Sequence, residues 1–60
     1  MDEVASAIRA LPEELRVVLT MHTVGELTSA QIGAALDQPA GTVRYKLALA
    51  RKQLATILEA

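Results

Sequence analysis

Four cations crowd the last third of this chain: Arg44, Lys46, Arg51 and Lys52 follow closely on Gly41 and Thr42. Each of these residue types suits a nucleic acid. Gly41 and Thr42 fall in the first turn of an expected helix, where free backbone N–H groups and a hydroxyl can hold a phosphate, though Thr42 serves equally well as a plain first-turn residue. The planar fork of Arg44 can pair with the O6/N7 edge of guanine or clamp a phosphate. Tyr45, the one aromatic residue, can touch a thymine methyl or a phosphate if exposed, and packs on its own helix if not. Lys46, Arg51 and Lys52 suit phosphates or simply solvate the helix.

Composition excludes most other chemistries. The sequence of 60 residues holds no cysteine and a single histidine, so neither a thiolate metal site nor a catalytic relay can be built, and His22 reads as a solvent-facing or core-edge residue. No carboxylate pair, nucleophile with a base, or glycine-rich phosphate loop can be assembled. The expectation is no enzyme, no cofactor and no metal. No apolar run approaches the roughly 20 residues of a membrane helix, and Asp2 and Glu3 do not suit a signal peptide. A soluble, cytoplasmic domain is expected.

Net charge is −1, yet its distribution is uneven. Residues 1–37 set Arg9 and Arg16 against Asp2, Glu3, Glu13, Glu14, Glu26 and Asp37. Residues 38–60 set Arg44, Lys46, Arg51 and Lys52 against Glu59 alone. Charge concentrated on one element matters more for nucleic-acid binding than the total does.

The elements that position these residues read as helices. Val4, Ile8, Leu11, Leu15 and Val18 recur at helical spacing, with Pro12 fitting the first turn of a new helix ahead of Glu13 and Glu14. Helices are expected at about 2–10, 12–23, 28–36 and 40–59. Gly25 is placed to close the second in a left-handed conformation. Thr28 and Gln31 form a capping box for the third, whose inward face is Ile32, Ala35 and Leu36. Asp37-Gln38-Pro39 breaks the pattern, with Asp37 tolerating a positive φ. Val43, Leu47, Ala50, Leu54 and Ile57 mark the buried stripe of the fourth helix, leaving Ala48 and Leu49 on its outer side. Arg16 and Glu13 suit a local ion pair.

The result is an all-α, four-helix domain with a helix-turn-helix over 28–51 and a long C-terminal recognition helix. The close crossing requires a small residue, which Gly33 supplies, with Ile32, Leu36 and Val43 locking the contact. A glycine inside a helix costs about 1 kcal/mol against alanine, so a packing reason is expected.

Three sets of residues together resemble region 4 of bacterial RNA polymerase sigma factors, the extracytoplasmic-function group in particular. They are Ala10-Leu11-Pro12-Glu13-Glu14-Leu15-Arg16-Val17-Val18-Leu19; Leu27-Thr28 with Gln31-Ile32-Gly33; and Pro39-Ala40-Gly41-Thr42-Val43-Arg44 with Ala50-Arg51. The resemblance implies recognition of the −35 promoter element through the major groove, docking on the flap of the polymerase β subunit, and capture by anti-sigma factors. Carried over by position, it implies DNA contacts at Ser29, Gly41, Thr42, Arg44, Tyr45, Ala48 and Leu49, with Lys46 beside them. The family usually has serine where Tyr45 stands, arginine where Lys46 stands and often arginine at Leu49. Its Glu-Gly-Leu before the third helix appears here as Gly25-Glu26-Leu27. A promoter-melting region is not among these residues, so either an excised domain or a stand-alone module is expected. DNA binding in isolation should be weak, near the roughly 10⁻⁴–10⁻⁶ M of non-specific complexes, with specificity gained by tethering to polymerase.

Two further readings compete. An outward Leu49 and the acidic first helices suit a sigma-like protein-interaction module, a decoy or a dimer, that does not bind DNA. A response-regulator-type helix-turn-helix output domain shares the four-helix layout, although the Leu11-Pro12-Glu13-Glu14-Leu15-Arg16 opening favours the sigma reading.

Overall fold

The computed structural model describes residues 3–59. They form α1 (Glu3–Arg9), α2 (Glu13–Thr23), α3 (Ser29–Leu36) and α4 (Ala40–Glu59), and no strand occurs among them. The fold is all-α. The expected start of the first helix at residue 2 lies outside the described residues.

Pro12 sits one step earlier than expected, at the N-cap of α2 with φ −53 and ψ 147. Its extended ψ turns the chain, and its carbonyl accepts from the amides of Leu15 at 3.1 Å and Arg16 at 3.0 Å. Glu13 and Glu14 then occupy the first turn, where the helix dipole favours acids. Arg16 ties the first two helices together, donating from Nη1 to the Arg9 carbonyl at 3.3 Å while Nη2 lies 4.0 Å from Glu13.

The end of α2 departs from expectation. Gly25 does not take a positive φ; the left-handed residue is Glu26, with φ 56. The helix winds on through Val24 in right-handed conformation, so the reversal falls one residue beyond Gly25. Gly25 is still required, because a Cβ there would lie 2.7 Å from the Met21 carbonyl oxygen. That oxygen accepts from the Leu27 amide at 3.2 Å. Half-buried His22 joins the same loop through Nδ1 and the Leu27 carbonyl, 3.0 Å apart. A carbonyl only accepts, so Nδ1 carries the proton.

At α3 the local signals hold. Thr28 Oγ1 accepts from the Gln31 amide at 3.1 Å, and Gln31 Oε1 accepts from the Thr28 amide at 2.9 Å, completing the capping box. Asp37 ends the helix in left-handed conformation, with φ 58 and ψ 48.

One buried cluster unites Leu11, Leu15, Val18 and Leu19 with Ile32, Val43, Leu47 and Ala50. Because α4 packs against all three other helices, it is the spine of the molecule. Twenty residues at about 1.5 Å rise make a rod of roughly 30 Å, close to the 33 Å longest dimension. Burial falls off toward its far end. Leu54 is only half-buried against the core and Ile57 is 36% exposed, although both belonged to the expected stripe. Val4 is 48% exposed, lying in the first turn of the seven-residue α1. Ala35, expected inward, is exposed. On α3 the buried arc runs through Ile32, Gly33 and Leu36, and a rotation of about 100° per residue puts Ala35 beyond it.

Candidate nucleic-acid interface

The site begins at the α3–α4 turn. The Gly33 carbonyl accepts from the amides of both Asp37 and Gln38, the latter at 2.8 Å. Gly33 is buried, and a Cβ placed on it would overlap the Gln38 carbonyl oxygen and approach the Ala40 nitrogen at 3.5 Å. Its smallness thus serves the backbone of the turn, and not the body of the facing helix as the sequence suggested. Ile32 and Val43 are fully buried on either side, and Leu36 packs at the margin.

From this lock α4 projects its N-terminus outward. The Pro39 carbonyl accepts from the Thr42 and Val43 amides at 3.0 and 3.2 Å. The N–H groups of Ala40 and Gly41 precede these first bonded amides, which leaves them directed along the helix axis toward solvent. Gly41, Thr42, Arg44, Tyr45 and Ala48 are all exposed, Tyr45 by 67%. The Arg44 guanidinium reaches back toward the helix start, and a Cβ on Gly41 would lie 3.8 Å from its Nη2. The Arg44 fork therefore lies near Gly41, at the end of the helix that carries the two free amides.

With about 100° of rotation per residue, Gly41, Tyr45, Ala48 and Lys52 share the strip facing directly away from Val43, Leu47 and Ala50. Arg44 and Arg51 flank it on one side. Lys52, offered by the sequence for a phosphate or for solvation, completes this strip at a four-three-four spacing.

Three expected site residues stand elsewhere. Ser29 is half-buried in the first turn of α3, on a different helix from the strip. Lys46 is half-buried, with Nζ donating to Gln38 Oε1 at 3.1 Å. Leu49 is not on the outer side: it is half-buried and packs against the core cluster. The buried arc of α4 is broader than its three fully buried residues suggest, and Leu49 falls on its edge. There it lines a shallow groove with Lys52, Gln53, Thr56 and Ile57.

Charge follows the same division. Exposed Glu3, Glu13 and Glu14 lie on α1 and α2 with Arg9, while exposed Arg44, Arg51 and Lys52 lie on α4 with Glu59 alone against them. Among the described residues no group of His, Asp or Glu is placed to hold a metal ion, and no helix is long and apolar enough to cross a membrane.

Residues 1–54 match the family described as sigma-70, region 4. The ECF RNA polymerase sigma-E factors of Salmonella typhimurium (strain LT2) and Escherichia coli (strain K12) are each 38% identical to the chain over 47 residues. That stretch is 78% of this chain and 25% of each relative, so the chain spans 25% of the length of the curated proteins it matches. No solved structure matches it. The helix-turn-helix, its exposed basic helix and these likenesses agree: the chain belongs to the sigma-70 region 4 family, a DNA-binding domain of transcription-initiation sigma factors.

Proposed function

We propose that this domain reads the −35 element of promoters, with α4 in the major groove. The observation that carries the reading is that Gly41, Thr42, Arg44, Tyr45 and Ala48 are all exposed on the first half of a helix whose other side is locked into the core. In this arrangement the Ala40 and Gly41 amides and the Thr42 hydroxyl anchor a phosphate. Arg44 pairs with a guanine edge or the adjoining phosphate, and Tyr45 and Ala48 offer apolar contact to a thymine methyl. Ser29 contributes at most from the start of α3, and Leu49 through its exposed edge.

Such a domain acts in the cytoplasm on RNA polymerase, docked on the β flap and open to capture by an anti-sigma factor. The rival protein-interaction reading counted on an outward Leu49. Leu49 packs on the core instead, so DNA recognition stands first.

The test is binding to a labelled duplex that the wild-type chain has selected from a random-sequence pool. Arg44→Ala should lose about 1–3 kcal/mol of affinity. Binding should weaken steeply from 50 to 200 mM salt. Failure to select any duplex, or affinity indifferent to salt, would falsify the reading.

A further inference from the structure

Gln38 is held at three points. Its amide donates to the Gly33 carbonyl at 2.8 Å. Its own carbonyl presses so closely on Gly33 that no Cβ fits between them. Its side-chain oxygen accepts from Lys46 at 3.1 Å, and both residues are half-buried. Among the described residues, Lys46 is the cation of α4 that has a protein partner; Arg44, Arg51 and Lys52 remain exposed. Lys46 also lies about 100° around the helix from Tyr45, on the side turned toward the α3–α4 turn.

We propose that Lys46 is a positioning residue: acting through Gln38, it fixes the angle at which α4 leaves the turn, and it is not itself a phosphate ligand. Only Gln38 and Pro39 separate the left-handed Asp37 from the first residue of α4. A tilt at that short joint is multiplied along the helix, moving Tyr45 and Ala48 relative to anything they touch. The Lys46–Gln38 bond spans the joint, linking the turn to the second turn of α4. It converts a two-residue hinge into a closed ring of backbone and side-chain contacts. This inference rests on the DNA-binding reading for its consequence, but the brace itself belongs to the free protein.

The decisive variant is Gln38→Ala, which leaves every cation in place. If Lys46 positions the helix, Gln38→Ala weakens binding to the selected duplex by roughly three- to tenfold, the worth of one hydrogen bond. Lys46→Met loses a similar factor, and the double variant binds no worse than either single one. Circular dichroism should show the helices intact throughout, and the salt slope of Gln38→Ala should match the wild type. If Lys46 is a phosphate ligand, Gln38→Ala binds as well as or better than the wild type. Lys46→Met then flattens the salt slope by about 0.9, and the proposal is overturned.

Should the wild-type chain select no duplex, the DNA reading falls separately, and amide exchange in the free protein decides the brace. Faster exchange at Gln38, Thr42 and Val43 in both single variants, restored in the acceptor-retaining Gln38→Glu, supports it. Unchanged exchange at those amides overturns it.

Discussion

Among the described residues, two acidic ones hold the left-handed positions, Glu26 with φ 56 and Asp37 with φ 58. Aspartate tolerates that conformation through its short polar side chain; glutamate has no such advantage. The Glu-Gly-Leu order usual in the family puts its glycine one residue before the leucine, the place Glu26 occupies here. Glu26→Gly should therefore stabilise the fold by about 1 kcal/mol, read as a higher urea midpoint. An unchanged or lower midpoint would show that the Glu26 side chain contributes something glycine cannot. Gly33 gives the opposite case. Adding a methyl forces the Gln38 carbonyl away, so Gly33→Ala should cost about 1–3 kcal/mol, and a thermal melt matching the wild type would contradict that close approach. Its need to be small was legible from its place beside Ile32. The atom that imposes the need was not, because backbone proximity across a turn leaves no mark on side-chain pattern.

At the scale of elements, what was local was legible. The capping box of α3 depends on two residues three apart, and both of its hydrogen bonds are present. Thr28→Ala should lower stability by about 1 kcal/mol, and unfolding free energies for wild type and variant check it directly. Burial along α4 was less legible, because periodicity says which residues share a face but not how far the neighbouring helices extend. The stripe from Val43 to Ala50 is buried among them, whereas Ile57 is 36% exposed. Ile57→Ser should accordingly cost under about 0.5 kcal/mol; a loss of core-like size would mean that the end of α4 is covered in solution. Leu49 failed for a related reason. The sequence assigned each residue of α4 to one side or the other, but a helix crossed by three partners buries its flanks as well.

For the molecule as a whole, net charge misled and charge placement informed. The cations of α4 are offset in the total by acids that lie elsewhere in the chain, Asp2, Glu26 and Asp37 among them. The fold class and the family were readable because helical periodicity and the motif residues run through most of the chain, residues 1–54 matching the family. Of the residues offered for DNA contact, Gly41, Thr42, Arg44, Tyr45 and Ala48 are exposed on α4, while Lys46 and Leu49 are half-buried there and Ser29 is half-buried on α3. Arg51→Ala and Lys52→Ala should each reduce the magnitude of the salt slope by about 0.9 if they meet phosphate. A slope unchanged in both would confine the DNA contact to the first two turns of α4.

The outward strip of α4 has a practical consequence. None of Gly41, Tyr45, Ala48 and Lys52 belongs to the buried cluster, and a side chain on Gly41 would meet only the far end of Arg44 at an ordinary distance. All four positions can thus be randomised at once without touching what makes the chain fold. On the proposed DNA-reading role, a library built this way would vary in the DNA its members select while remaining uniform in architecture, making this small domain a frame for new sequence readers.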